Sequence, residues 1–453
     1  MKKIDFLYVG NRTDIRKKVE DICALRNFTY ECLETLDVLL ENGELYEKTS
    51  LVLLSATDLE NQTEIAGMIQ VTKQISPDAY CIVCISQKVP KDQLQFIKKS
   101  GADLVILDLE IETSCKMEFV ATQVLKAAYL PVKVSELALD SVVPLSLYHL
   151  MPLNRKFLPF VRAGDTITEK RIEQAGNVTE LYIKREEVEK WIQYIQEHQD
   201  KSAKGVASRC RSQFLNLSAA FIELALNITD QSEGSSFEKG RSLYQNCYTL
   251  ANDLLMNLSV TEDAWNIINQ SAVFNFGPIE RSPAIACYVG LTALKAGLKD
   301  PAEIMIATLL MDLGLLDCNQ KTILSINTEQ FEGLHPEDKS AYYQHPTVGL
   351  NKCLSRKLPL PERVQNIISK THEQSNGKGF PKKVHGENVP PEAFLIQFCE
   401  LIDMASQIKL GRERIDFAEA VKSVFDREVN TGSRIPAHLL LTWKNHLPQI
   451  PQS

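Results

Sequence analysis

The stretch ATLLMDLGLL, at residues 307–316, places one carboxylate, Asp312, inside an otherwise apolar run. A second apolar run, LIDMA at 401–405, holds Asp403 in the same way. A carboxylate is costly to bury unless it is paired or bound to a metal. Both aspartates are therefore expected to find a partner inside the fold. Both runs lie between 209 and 446, where apolar residues recur at helical spacing, and this pattern predicts an all-α bundle.

Histidines gather in the same part of the chain, since four of the eight lie between 335 and 385. His345 stands in QHPTVG and His372 in THEQSNGKGFP, whereas His335 and His385 are expected at the surface. His345 could ligate a metal or could be a polar residue at a helix start. His372 could equally be a helix-terminal histidine favoured by the helix dipole. Any chemistry of the chain is expected in this region.

Composition limits the remaining classes of protein. A chain of 453 residues suggests two to four domains. Its net charge of −8 argues against a chain organised around nucleic acid. Eleven cysteines are too few for a disulfide scaffold and are predicted to be reduced core thiols. The apolar runs are too short to span a bilayer, and the N-terminus lacks a signal-peptide pattern, so we predict a cytoplasmic protein without a membrane anchor.

Residues 1–130 alternate short apolar runs with amphipathic stretches. IDFLYVG, SLVLLSA, AYCIVCIS and ADLVILDL read as buried strands, and 13–26, 58–76 and 91–100 read as helices. The alternation predicts a parallel α/β sandwich. Cys81 and Cys84 form a CxxC motif, but within a strand they point to opposite faces. We therefore interpret them as core cysteines rather than a redox or zinc pair.

The strand spacing and the segment KKSGADLVILDLE, at 98–110, resemble a response-regulator receiver domain of flavodoxin-like fold. The resemblance implies a magnesium-binding acidic cluster and a phosphoryl-accepting aspartate, at positions where this chain has Asn11 and Ser55. Ser86 fits the family pattern, while Asp108 stands near the position of the family's lysine. Without those carboxylates there is no oxygen cage for a hard cation and no acyl-phosphate nucleophile. We predict a pseudo-receiver that serves for docking; an unrelated flavodoxin-like domain would lead to the same function.

Residues 134–198 are predicted to form a small α+β domain. Two strands, a short helix ending at Gly176, and a strand passing into an amphipathic helix follow one another. The Gly164-Asp165 turn and the LYI strand at 181–183 resemble the small domain that often precedes HD-GYP modules. The helix at 186–197 could serve homodimerisation or could pack on its own domain. The small polar residues 199–208 predict a linker to a third domain at 209–453.

Several segments between 279 and 408 resemble, in order and spacing, the HD-GYP family of metal-dependent cyclic-di-GMP phosphodiesterases. The resemblance implies an HD-type helical bundle with two or three iron or manganese ions that activate a water. Four of the family's seven metal positions are kept, namely Asp312, His345, His372 and Asp403. The other three are replaced by Arg281, Met311 and Thr371. The lysine expected near the phosphate falls at Leu315.

The four survivors could hold one iron, manganese or zinc ion but hardly two. Methionine suits such a site poorly, and Arg281, if it points inward, opposes a cation there. The resemblance also implies a nucleotide-contacting loop, which is made here by Gly377, Lys378, Gly379, Phe380 and Pro381. Its glycines are expected to shape the loop.

The prediction that follows is a non-catalytic signalling, scaffold or sensor protein of the cyclic-di-GMP network. It would act by docking signalling proteins, such as those of the diguanylate cyclase type, or by sensing the nucleotide. The alternative is a phosphodiesterase or other phosphohydrolase with a reduced, mononuclear site, in which Asp312 takes part in catalysis. A third reading is a structural helical domain that binds no ligand.

Overall fold

Two sheets and a long helical region follow one another along the chain in the computed structural model. The structure describes the residues 4–56, 62–86, 89–125, 129–151, 156–176, 178–198, 202–231, 237–272, 277–328, 333–407 and 417–448.

The first sheet is parallel, with the strand order β2-β1-β3-β4-β5. Its strands are β1 (Phe6–Val9), β2 (Tyr30–Leu33), β3 (Leu51–Ser55), β4 (Tyr80–Ile85) and β5 (Leu104–Leu107). This is the order of flavodoxin-like folds, and the predicted α/β unit is confirmed; its assignment as a receiver stays a prediction. The edge strand β2 was not predicted, because its sequence YECL is largely exposed and carries no apolar run.

Helices cover both faces of this sheet. They are α1 (Thr13–Arg26), α2 (Leu36–Glu41), α3 (Gly43–Tyr46), α4 (Gln62–Ile75), α5 (Lys91–Lys99), α6 (Asp108–Thr113) and α7 (Lys116–Leu125). The bounds of α1 agree with the predicted 13–26, whereas the predicted start of α4, Asp58, lies outside the described residues. Cys81 and Cys84 belong to separate apolar clusters on opposite faces of the sheet, as predicted. All eleven cysteines are free.

A fixed positive charge lies at the carboxyl edge of the sheet, close to Asn11. Arg12 pairs with Asp14, with Asp108 at 3.0 Å and with Glu112 at 3.0 Å. Ligands of open α/β sheets bind at this edge, and here the guanidinium offsets part of the charge of the three carboxylates. The bond from the Arg12 guanidinium lowers the pKa of the Asp14 carboxyl, and burial opposes this effect. The pKa of that carboxyl therefore lies below its usual range.

The second sheet is antiparallel, with the order β6-β9-β7-β8. Its elements are β6 (Tyr129–Lys133), β7 (Leu147–Met151), β8 (Lys156–Val161), α8 (Glu169–Ala175), β9 (Glu180–Lys184) and α9 (Val188–His198). Strand β6 was not predicted and lies across the expected domain boundary, since it pairs with β9. The apolar face of α9, with Trp191 and Ile195, is buried within the chain.

The third region is helical. It contains α10 (Ala203–Thr229), α11 (Glu238–Ser259), α12 (Ala264–Ser271), α13 (Pro278–Lys295), α14 (Pro301–Leu310), α15 (Gln320–Thr328), α16 (Pro336–Ser355), α17 (Glu362–Ile368), α18 (Pro391–Ser406), α19 (Phe417–Thr431) and α20 (Ala437–Trp443). The linker predicted at 199–208 is wrong for its second half. The Ser202 hydroxyl accepts the N–H of Gly205 and caps α10, so residues 203–208 are helical.

One apolar core joins the three regions. It runs from one face of the parallel sheet, through α7 and the second sheet, into the helical region. The other face of the parallel sheet has a separate core with α4 and α5. In the part of the chain that the structure describes, no helix is both long and apolar enough to cross a membrane.

Candidate metal centre

Asp312 lies between two helical elements rather than inside one. Helix α14 ends at Leu310, and a 3₁₀ turn follows at Leu313–Asp317, so the helix predicted to continue to Gly314 stops early. The turn packs closely on α16 at Gly314, where an added Cβ would overlap the backbone carbonyl of His345. The turn can pack backbone against backbone on α16 only because residue 314 is glycine. The buried carboxylate of Asp312 is thereby brought to the helix that carries His345.

His345 is oriented by the proline that follows it. Pro346 lies inside α16 and has no N–H, so the Tyr342 carbonyl lacks the donor that a helix normally supplies from position 346. The Nδ1 atom of His345 lies 2.5 Å from that carbonyl oxygen. A carbonyl only accepts, so Nδ1 carries the proton and, in the neutral ring, Nε2 presents a lone pair.

Three ligand atoms converge on one point. His345 Nε2 lies 3.2 Å from Asp312 Oδ1 and 3.1 Å from His372 Nε2, and His372 Nε2 lies 3.5 Å from Asp312 Oδ1. All three side chains are buried. Among the described residues they form the one group of His, Cys, Asp or Glu side chains close enough to share an ion. The structure thus brings together three of the four predicted ligands.

This triangle fits a single divalent ion. Ligand distances of 2.0–2.2 Å in tetrahedral geometry imply ligand atoms roughly 3.3 Å apart, close to the spacings found here. Nδ1 of His345 is bonded to a carbonyl oxygen, as in metal-bound histidines, whereas Nδ1 of His372 lies 3.7 Å from Glu400 Oε2, beyond hydrogen-bond distance. Burial opposes ionisation of Asp312, but the neighbouring His345 and His372 together outweigh it and hold the pKa of this carboxyl below its usual range.

The fourth predicted ligand, Asp403, has another partner. Its carboxylate binds both Nε and Nη2 of Arg281 in a two-pronged ion pair. The side chain of Arg281 is 9% exposed and that of Asp403 1%. Gln407 Nε2 donates a third bond to Asp403 at 3.1 Å. Arg281 therefore points inward, and Asp403 lies outside the three-residue cluster. Its ligation of a metal stays a prediction, with this ion pair competing against it.

Glu400 was not predicted as a site residue. It lies on α18 three residues before Asp403, so both carboxylates project from one helix face. Burial raises the pKa of Glu400 to about 7, and His372 opposes that rise. The signal was present in the sequence, because the same apolar run contains a second acid at helical spacing from Asp403.

A small cavity joins the two arrangements. Its lining includes Arg281, Asp312, Glu400 and Asp403, and its volume is about 30 Å³. A water needs about 10–15 Å³ by this measure, so the cavity has room for roughly two waters or an ion with one water.

The predicted nucleotide-contacting loop packs over the cluster. The Phe380 ring stacks on the His372 ring, with ring centroids 4.9 Å apart. The backbone N–H of Phe380 donates to the His372 carbonyl at 3.1 Å. Gly377 has a φ of 71°, as expected for a shaping glycine. Gly379 serves differently, because an added Cβ there would overlap the backbone of residues 372–374. Lys378 is exposed, and Pro381 is the last residue of the predicted loop.

Glu373 stabilises the loop from inside. Its carboxylate accepts the backbone N–H groups of Lys382 at 2.6 Å and Val384 at 3.1 Å. Met311, Leu315 and Thr371, which were predicted to stand at replaced positions in the same region, are all buried. Thr371 donates its hydroxyl to the Ile368 carbonyl at 3.0 Å. These positions therefore contribute apolar packing and a local hydrogen bond.

Comparison with known proteins identifies the region. Residues 265–427 match the family model of the HD domain. No curated protein matches the chain. A solved structure described as a HDG"Y"P protein from Bdellovibrio bacteriovorus is similar over 70% of this chain and 98% of its own, at 19% identity and a TM-score of 0.44. The segment that carries Arg281, the Asp312–His345–His372 cluster and Asp403 is therefore an HD-type domain.

Proposed function

We propose that this chain is a non-hydrolytic signalling protein of the cyclic-di-GMP network whose HD-type domain holds one divalent ion. Asp312, His345 and His372 would hold the ion, with Glu400 as the nearest further carboxylate. The observation that carries the proposal is the Arg281–Asp403 ion pair in the cavity beside them. A guanidinium is always charged, so it supports a site with one exchangeable cation rather than two.

The guanidinium in the cavity supports the absence of hydrolysis. Hydrolysis of a phosphodiester by a two-metal site requires ions on both the attacking and the leaving oxygen. Here Arg281 lines the cavity beside Asp312 and holds the carboxylate of Asp403, and this fixed positive charge opposes a second ion. When bound, the single ion would supply charge that fixes the buried ligands. The residues of the chain orient those ligands and exclude bulk water.

The place in the cyclic-di-GMP network rests on the resemblance of the segments at 279–408 and on the HD-type domain. We propose further that the N-terminal α/β unit acts as a pseudo-receiver. Its support is Arg12, whose guanidinium lies among Asp14, Asp108 and Glu112. The Arg12 guanidinium would thus occupy the place at which a receiver domain binds an exchangeable metal ion. Signalling would then proceed by docking of protein partners.

The decisive experiment combines metal content with turnover. The full chain, prepared with iron and manganese supplied, is expected to retain about one ion, and Asp312→Asn to retain much less. Cyclic-di-GMP hydrolysis is expected at background level, with an intact HD-GYP protein as the positive control. Turnover comparable to that control would refute the proposal.

A mononuclear phosphohydrolase is the second candidate, and Glu400 favours it. A buried carboxyl with a pKa of about 7 next to a metal cluster has the properties of a general acid or base. Screening small phosphate monoesters and diesters against the metal-loaded chain separates the candidates. Metal-dependent turnover that Glu400→Gln abolishes, while metal content stays the same, would favour the enzyme.

A further inference from the structure

The N-terminal α/β unit contacts the segment that follows Asp312. Cys115, which immediately precedes α7, donates its backbone N–H to the Cys318 carbonyl at 2.8 Å. Its thiol lies 3.4 Å from the Leu315 carbonyl oxygen. Lys116, with 3% of its side chain exposed, forms an ion pair with Asp317 at 3.0 Å. All of these contacts fall within the six residues after the metal-cluster aspartate.

The ion pair of Lys116 is well supported on its own side. Lys116 also binds Glu110 on α6, so its ammonium group is held between two carboxylates. Moving a buried ammonium group away from such partners is strongly unfavourable, because it leaves a buried charge unpaired. The position of Lys116 is therefore set by the α/β unit, and the position of Asp317 follows from it.

The same segment is also fixed to the helix of the second ligand. Asp317 also pairs with Lys352 of α16 at 2.7 Å, about two helical turns beyond His345. Gly314 packs directly on the His345 backbone, with no room for a side chain between them. Asp317 thus links three elements, namely α7, the turn after Asp312, and α16.

We propose that Lys116 and Asp317 are positioning residues for the metal centre, so that docking of α7 onto residues 313–318 sets the affinity of the Asp312–His345–His372 cluster. The inference rests on the proposed function, because it requires that the cluster holds an ion. Its geometric basis is the narrow spacing of 3.1–3.5 Å among the three ligand atoms. A displacement of about 1 Å at Asp312 would leave one ligand out of reach, since ligand distances vary by only about 0.2 Å.

Coupling between a binding site and a contact is reciprocal. If docking of α7 raises metal affinity, the metal must stabilise the docked state by the same factor. The backbone bond from Cys115 to Cys318 lies at the junction itself and reports on docking without involving any ligand atom.

The first test measures Mn²⁺ affinity of the full chain by competition with a chromogenic chelator. Lys116→Met is expected to weaken binding at least ten-fold. The matched control is Lys18→Met, which removes a 2.7 Å ion pair to Glu118 on the same helix α7 but within the α/β unit. That variant is expected to bind Mn²⁺ as the unsubstituted chain does.

The second test measures hydrogen exchange with and without Mn²⁺. The metal is expected to slow exchange of the Cys115 amide and of residues 313–318 in the unsubstituted chain. If Lys116→Met does not fold, as judged by circular dichroism, Asp317→Asn takes its place in the affinity measurement. A purely structural role would lower stability but leave the affinity of the folded variant unchanged.

The outcomes separate the two proposals. An unsubstituted chain that binds no Mn²⁺ overturns the proposed metal site and this inference with it. Normal binding in the unsubstituted chain, with equal affinity in the folded variants and no change in Cys115 exchange, overturns the inference alone. Weakened binding in Lys116→Met with normal binding in Lys18→Met supports both.

Discussion

Replacing Arg281 with methionine is expected to destabilise the HD-type domain strongly. The carboxylate of Asp403 is 1% exposed, and its two bonds from Arg281 are its main compensation. After the substitution it keeps the single 3.1 Å bond from Gln407. Removing one partner of a buried ion pair typically lowers the free energy of unfolding by about 3–5 kcal/mol. We expect Arg281→Met to fall in this range.

The assay is urea unfolding of the full chain followed by near-ultraviolet circular dichroism, with a double-mutant cycle. Arg281→Met and Asp403→Leu should each be strongly destabilising, whereas the double variant should recover most of the loss, because no buried charge is left unpaired. The control is Lys422→Met, which breaks an exposed pair to Asp426. An exposed pair contributes about 0–1 kcal/mol, so the unfolding midpoint should barely move.

Metal ions provide a further check on the role of the guanidinium. Without Arg281, the cavity would be lined by the carboxylates of Asp312, Glu400 and Asp403. Added Mn²⁺ should then stabilise Arg281→Met more than it stabilises the unsubstituted chain. Mn²⁺ at 100 times its dissociation constant from such a site would raise the free energy of unfolding by about 2.7 kcal/mol. A free energy of unfolding for Arg281→Met within about 1 kcal/mol of the unsubstituted chain, or a double variant no more stable than Asp403→Leu, would contradict a strongly stabilising buried ion pair.

Three further substitutions test separate features. Gly314→Ala should lower the free energy of unfolding by at least about 1–3 kcal/mol, because its Cβ overlaps the His345 backbone; normal urea stability would contradict this. Pro346→Ala should stabilise α16 yet weaken Mn²⁺ binding, since residue 346 then donates to the Tyr342 carbonyl in place of the imidazole; unchanged affinity would argue against that orientation. Burial raises the pKa of Glu280 on α13 above its usual range. The contribution of Glu280 to the free energy of unfolding is therefore greatest at low pH, where the carboxyl is protonated, and is lost as pH rises through the raised pKa. Glu280→Gln should therefore gain in melting temperature over the parent chain from pH 5 to pH 8, and a constant difference would count against the shift.

Local patterns were sufficient where the fold depends on neighbouring residues in the chain. The buried strands β1, β3, β4 and β5 and the helix α1 follow from apolar runs and helical periodicity, and the structure confirms them. The strands β2 and β6 were missed because edge strands need no apolar run, and their pairing is decided by distant residues. Residues 203–208 look like a linker by composition, but capping by Ser202 and packing of α10 make them helical.

The candidate site shows the same division. A carboxylate in an apolar run must have a partner, so Asp312 and Asp403 were both predicted to be paired or metal-bound. The sequence could not decide between those partners, because the answer depends on whether Arg281 of α13 faces α18. The structure gives Asp403 to the guanidinium and Asp312 to the two histidines. Ligation of an ion by the three-residue cluster remains a prediction that metal analysis can test.

The two arginines give the chain a common logic. Arg12 lies among carboxylates at the carboxyl edge of the parallel sheet, and Arg281 binds a carboxylate in the cavity of the HD-type domain. A guanidinium neither dissociates nor loses its charge at ordinary pH, so neither place can be switched by loss of a cation. Among the arrangements described, exchange of an ion is left to the cluster of Asp312 and its two histidines. Lys116 of the α/β unit binds Asp317, in the segment that follows Asp312. The candidate metal site and the contact between the α/β unit and the HD-type domain therefore share this segment. If the cluster holds an ion, we expect its occupancy to change the docking of the α/β unit, a response that would require no turnover.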